Sequence, residues 1–180
     1  TLTPTEYPLG RRVRFQQNVA ASGRTASRHI LVSETRAADD AEARALSLPP
    51  GTAVHVVEGL SLADGAPLAA FRSVFPAARF PDLLAALREN PSITAALGAG
   101  GVADYTRAST RITAKSANFT LARHLHIAEG APILRSVAVN IDAQGVPVEY
   151  GTTWFAGDRV TLTVAPDDAP LPHPGGQARP

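Results

Sequence analysis

The chain has 180 residues, 44% hydrophobic and 18% charged, an ordinary globular composition with enough length to enclose a core. Its net charge of +1 argues against a nucleic-acid-binding surface, and the dominance of arginine among its 17 basic residues reflects genome composition more readily than phosphate recognition. Cysteine is absent, which excludes disulfides and thiolate metal sites and fits a reducing cytoplasm, and no apolar run approaches the roughly 18 residues of a membrane span.

Methionine is also absent, so the chain reads as an internal piece of a longer protein. Residues 1–26 are expected to be the end of a linker followed by an N-terminal helical segment. From Ser27 to Arg36 the alternation of Ile30 and Val32 predicts a strand. Asp39 and Asp40 then supply an N-cap and negative charge at a helix start, and Pro49-Pro50-Gly51 ends that helix. Ala53 to Leu62 is apolar and β-branched, and its length suits strand pairing or an interface. Asp64-Gly65 signals a hairpin that returns through Pro67 to Phe75. Leucines at 83, 84, 87 and 97, interrupted by Pro91, predict a broken helical connector over Phe80 to Leu97.

The scheme then repeats. Ala43-Arg44-Ala45-Leu46-Ser47-Leu48 recurs as Ala122-Arg123-His124-Leu125-His126-Ile127, a shift of 79, and Gly51 maps onto Gly130. After one inserted residue Gly65, Pro67, Phe75 and Arg79 fall on Gly145, Pro147, Phe155 and Arg159. Arg107 to Ala114 is therefore a strand, Ser116 is the expected cap of a helix to Ile127, and Pro132 to Ile141 pairs with Val146 to Ala156 across Gln144-Gly145. The half-units span 27–79 and 106–159 within one domain, 27–164, and 165–180 is expected to be a flexible tail. Two such units imply an α+β fold: a mostly antiparallel six-stranded sheet from two duplicated halves, with helices on one face.

Strict alternation along the first strand of the second half places Arg107, Ser109, Arg111 and Thr113 on one face, two guanidiniums beside two hydroxyls. Such a face is either a solvated sheet surface or an anion site. In the last hairpin strand Glu149, Gly151, Thr153 and Phe155 share one face, and Val148, Tyr150 and Trp154 share the other, which looks like core. Glu149, a carboxylate in an otherwise apolar strand, requires either a ligand or an arginine such as Arg111. Arg72 and Ser73 occupy the related place in the first half. Arg79 and Arg159, matched across the repeat, read as structural. Catalytic motifs are missing: there is no Gly-x-Ser-x-Gly elbow, P-loop or GxGxxG, and His124 and His126, two apart on a helix, point too far apart to chelate one metal.

Tyr7-Pro8-Leu9-Gly10-Arg11-Arg12-Val13-Arg14-Phe15 with Asn18 and Gly23, Leu48-Pro49-Pro50-Gly51, Phe75-Pro76-Ala77-Ala78-Arg79-Phe80-Pro81, Gly145-Val146-Pro147-Val148-Glu149-Tyr150 and Gly157-Asp158-Arg159 together resemble the UTRA domain. That domain is the effector module of GntR-superfamily regulators of the HutC type, and the match is nearest their phosphonate-regulating branch. The resemblance runs from about Tyr7 to Val164. It implies a chorismate-lyase-like fold, no enzymatic activity, no cofactor, a homodimer, and a small anionic effector such as a phosphonate, phosphate or sugar phosphate. DNA binding would belong to a winged helix-turn-helix outside this sequence. The candidate ligand-binding residues are Arg107, Ser109, Arg111, Thr113, Glu149 and Phe155, where the resemblance places effector contacts, and Arg72 and Ser73 by the duplication; Phe155 stands where relatives often have tyrosine. The rival readings are a chorismate-lyase-like enzyme using Glu149 and Arg111, and a dimerisation module whose pocket has closed.

Overall fold

The computed structural model describes residues 3–165, so the tail expected over 165–180 falls almost wholly outside the described residues. Within them both repeats fold in the same order. The first runs β2 (Ala26–Ala37), α2 (Asp40–Ala45), β3 (Ala53–Ala63) and β4 (Ala66–Pro76); the second runs β5 (Thr106–Ser116), α5 (Phe119–Leu125), β6 (Pro132–Ile141) and β7 (Pro147–Ala156). Preceding them are β1 (Thr5–Pro8) and α1 (Phe15–Ala21); α3 (Leu83–Glu89) and α4 (Ile93–Ala99) join the halves, and β8 (Val160–Thr163) follows.

The duplication extends to backbone detail. Asp39 caps α2 by accepting from the backbone N–H of Glu42 at 2.8 Å, and Asn118, 79 positions later, caps α5 by accepting from Leu121 at 2.9 Å. Asn118 therefore takes the capping role expected of Ser116, which instead ends β5. Just beyond each helix Ser47 (φ 54°) and His126 (φ 53°) both adopt the left-handed conformation that turns the chain back toward the sheet. The two hairpins turn through Gly65 (φ 77°) and Gly145 (φ 79°), where only glycine enters that region without steric cost.

Six strands form one sheet in the order β2-β3-β4-β7-β6-β5, every neighbour antiparallel, with the halves joined between β4 and β7. β3 is thus an interior strand rather than a pairing edge. Val160–Thr163 forms a strand in a separate two-stranded parallel sheet with β1.

The two repeat helices share one face. There α2 packs Ala43 and Leu46 on Val54, Val56 and Val74, and α5 packs Ala122 and Leu125 on Ala70, Ile133 and Ala156. Tyr150 and Trp154 are half-buried against these clusters, whereas Val148, expected on the same face, is buried in the cluster of the connector helices because the register shifts at that point of β7. The other face is not left bare, in contrast to the expected one-sided arrangement. The connector helices bring Leu83, Leu87, Ile93 and Leu97 against Val57, Phe71 and Phe75, while α1 brings Phe15 and Val19 against Ala69 and Phe155. A sheet apolar on both faces needs cover on both, and the segments outside the repeat supply it. Between α1 and α4 the cover is incomplete, and a cavity opens onto the sheet.

Two matched arginines interlock the halves. Arg79 at the end of β4 donates from Nη2 to Asp142 Oδ2 at 2.5 Å in the β6–β7 hairpin. Arg159 donates to the carbonyls of Pro67 (2.7 Å), Leu125 (2.6 Å) and His126 (3.0 Å), tying the end of α5 to β4. Both have the structural role read from the repeat.

Candidate functional site

The cavity has a volume of about 290 Å³, at the small end for ligand pockets. Its floor is the sheet, and it is walled by the residues before and within α1 and by the start of α4. The floor is set by register. Arg107, Asn140 and Glu149 stand directly opposite one another across β5, β6 and β7, and Ser73, Gly151 and Ala138 form a parallel row across β4, β7 and β6. Glu149, Gly151, Thr153 and Phe155 all line the cavity, as period-two alternation in β7 requires.

In β5 the alternation fails. A β-bulge between Arg107 and Ser109 inserts an extra residue, so the side chains beyond it change face. Arg107 points with Glu149 into the cavity, whereas Ser109, Arg111 and Thr113 line a second pocket of about 370 Å³ on the α2/α5 face with Arg135 and Tyr150. The expectation that Arg107, Ser109, Arg111 and Thr113 share one face is therefore corrected. Arg72, next to Ser73 in β4, also faces away and donates from Nε to Glu58 Oε1 at 2.7 Å. Of the eight candidate residues the structure brings together Ser73, Arg107, Glu149 and Phe155 and leaves Arg72, Ser109, Arg111 and Thr113 on the opposite face. Glu149 and Arg111 are thus no pair. Glu149, 7% exposed, instead accepts from Asn140 Nδ2 at 2.7 Å.

Sequence reading missed two cavity arginines. Arg28 in β2 pairs in register with Ser61 and stacks between Phe15 and Phe71, its guanidinium 5.0 and 4.9 Å from the ring centroids. It lies two positions before Ile30, on the side that packs into the core, and a charge in that position was the available signal. Arg14 precedes α1 and lies 3.6 Å over the Tyr105 ring. It reaches the cavity through loop geometry, which has no period to read.

Charge in this cavity is unbalanced. Its lining carries three guanidiniums, Arg14, Arg28 and Arg107, against one carboxylate, Glu149. Burial pushes the pKa of Arg28 and of Arg107 below its ordinary value, and the nearby Glu149 and Tyr7 oppose that shift. Arginine remains charged nonetheless. Tyr7 and Tyr105 are displaced upward by burial, so both phenols keep their protons at neutral pH and can donate. Nε of Arg28, Nε of Arg107 and Nη1 of Arg14 are buried without a hydrogen-bond partner among the described residues. Buried, unpartnered cationic N–H groups are costly, and a bound anion is their natural acceptor. Among the described residues no cluster of three or more His, Cys, Asp or Glu could hold a metal ion. No helix there is long and apolar enough to cross a membrane.

A family model for the UTRA domain matches residues 21–161. An HTH-type transcriptional regulator of Rhizobium meliloti (strain 1021) is 37% identical over 158 residues, and the match covers 88% of this chain. The chain spans 65% of that relative's length. Among solved structures, PhnF from Mycobacterium smegmatis superimposes with a TM-score of 0.82 at 24% identity, covering 94% of this chain and 74% of PhnF. The ligand-binding domain of a GntR-family transcriptional regulator from Bordetella bronchiseptica gives 0.70 at 23% identity, covering 74% and 87% respectively. At these identities the structural matches speak for the fold.

Proposed function

The chain belongs to the UTRA domain family, and from that premise we propose that it senses a small anionic metabolite on behalf of a GntR-family, HutC-type transcription regulator. It is a binding module rather than a catalyst, and its anion would be a phosphonate, phosphate or sugar phosphate. DNA contact would belong to a winged helix-turn-helix in the longer protein. The effector would act by favouring one arrangement of two such heads held by a homodimer in the cytoplasm. One observation carries the ligand class: three guanidiniums converge on a cavity with one carboxylate, and each has a buried N–H with no acceptor among the described residues.

This reading moves the anion from Arg111 to Arg107 and Arg28. Glu149 and Asn140 would then accept from and donate to a hydroxyl or amine on the ligand, with Ser73 and Tyr7 completing the shell. The lyase alternative, with Glu149 and Arg111 acting together, has its two groups on opposite faces of the sheet. The alternative of a closed pocket is disfavoured by the open volume. A thermal-shift panel of phosphate, alkylphosphonates, sugar phosphates and the matching neutral sugars tests the class. Some anions should raise the melting temperature, since a ligand at ~100 times its Kd stabilises by about 2.7 kcal/mol. Stabilisation by neutral sugars alone would overturn the assignment.

A further inference from the structure

Arg14 lies outside the family-matched residues 21–161, on the segment that leads into α1, yet its guanidinium is part of the cavity wall. We propose that Arg14 is a direct contact of the anion and the residue through which occupancy of the cavity tightens strand β1. The inference deepens the sensor reading and rests on it.

Arg14 is held with one end committed and the other buried against the cavity without a partner among the described residues. It is 9% exposed, and Nη2 donates to the carbonyl of Tyr105 at 2.6 Å and to Asp104 Oδ1 at 3.2 Å. Nη1 is buried with no hydrogen-bond partner among the described residues. A guanidinium fixed by stacking and by one nitrogen is aimed, and the other nitrogen is available to an anion without loss of those bonds.

The same segment is clamped to the start of β5 from outside. Arg12 forks onto Asp104 through Nε and Nη2, at 3.0 and 2.5 Å, and the backbone N–H of Arg107 donates to the carbonyl of Arg11 at 2.6 Å. Arg107 therefore grips this segment with its backbone while its side chain enters the cavity. An anion between Arg14 and Arg107 closes the loop from inside. Three like charges that repel one another become three attractions to a common centre.

What lies upstream is β1, which pairs in parallel with β8; Thr5 N–H donates to Arg159 O, and Leu9 N–H to Thr163 O, each at 2.7 Å. Tyr7 of β1 packs on Phe155, ring centroids 5.1 Å apart, and also lines the cavity. The N-terminal strand thus has the cavity beneath it and is joined to Arg14 through Asn18, whose Nδ2 donates to the Pro8 carbonyl at 3.3 Å and whose backbone N–H donates to the Arg14 carbonyl at 2.9 Å. Filling the site should restrain the strand, and a restraint there is felt by whatever precedes it.

The test uses the 180-residue chain and inorganic phosphate, with calorimetry for affinity and hydrogen–deuterium exchange for the β1 amides. In wild type, phosphate should slow exchange at the amides of Thr5, Glu6, Tyr7 and Leu9. Arg14→Gln should weaken phosphate binding by about tenfold to a hundredfold, the scale of one charged hydrogen bond, and should fail to protect β1 even at saturation. Arg14→Lys should regain part of the affinity. Should Arg14→Gln melt early, the comparison of wild type with Arg14→Lys carries the test, because an ammonium lacks the bidentate fork and equal binding would count against the proposal. If Arg107→Gln loses binding while Arg14→Gln keeps it, Arg14 is no contact and the sensor reading stands. If neither change affects binding, both fall. Weak binding by Arg14→Gln with wild-type protection of β1 at saturation would remove the transmission role.

Discussion

Two glycines on the cavity face of the sheet have opposite consequences. A Cβ at Gly151 would lie 3.9 Å from Glu149 Oε2 and 3.9 Å from Ser73 Oγ, an ordinary contact distance, so a larger residue there fills cavity rather than displacing the fold. Gly151→Val should lower anion affinity with little change in melting temperature, checked by calorimetry and thermal denaturation together. A Cβ at Gly59 would instead stand 2.3 Å from the carbonyl of His29, which is backbone and cannot move aside. Gly59→Ala should cost about 1–3 kcal/mol in chemical denaturation, the range of an overpacked core. At this scale the sequence was readable where a strand kept its period. Glu149 and Phe155 fell on one face because β7 is regular between them, whereas Arg107 and Arg111 parted because a bulge is a local backbone choice that leaves no mark in the apolar pattern. Arg14 acts through a loop and a stacked ring, and no spacing announces either.

The repeated helices are short and depend on their ends. In α2 Asp39 accepts from Glu42 N–H while Glu42 accepts from Asp39 N–H at 2.9 Å, and Arg36 grips the Glu42 carboxylate with two bonds of 2.8 Å. Asp39→Ala and its counterpart Asn118→Ala should each cost about 1 kcal/mol, within the usual 0.5–2 for a lost cap, measured by urea unfolding. Hydrogen bonding to Arg36 holds the Glu42 carboxyl below its ordinary value, and hydrogen bonding to Arg79 does the same for Asp142. For groups depressed in the folded state the stabilisation is fully present above the ordinary carboxylate range and is lost as the pH falls through the depressed folded values. Urea midpoints should therefore be flat near neutrality and fall in acid, and Glu42→Gln should reduce that acid dependence. A steeper fall in the variant would contradict the pairing. The element order was legible because the duplication repeats caps and breakers at a shift of 79 and the hairpin glycines at a shift of 80. Asn118 shows that the repeat was a better guide to the cap than local composition, for it is the position on which Asp39 falls. What lay outside the repeat was harder, and so the cover supplied by α1, α3 and α4 to the second face of the sheet went unread.

The whole molecule joins a duplicated sheet, a cationic cavity and an N-terminal segment that walls it. The proposed homodimer would hold two such units in a fixed relation, and sedimentation at micromolar concentration should give a dimer. A strict monomer would count against that part. Its interface cannot use β3 as an edge, since β3 lies between β2 and β4; the open edges are β2 and β5. The sensor claim itself is tested most directly by calorimetric titration of a stabilising anion into wild type, Arg107→Ala and Arg111→Ala. Arg107→Ala should lose about 1.5–3 kcal/mol of binding, the value of a hydrogen bond to a charged group, while Arg111→Ala, on the far face of the sheet, should bind as wild type does. Loss of binding in Arg111→Ala with Arg107→Ala unaffected would contradict it and place the effector on the other side of the sheet.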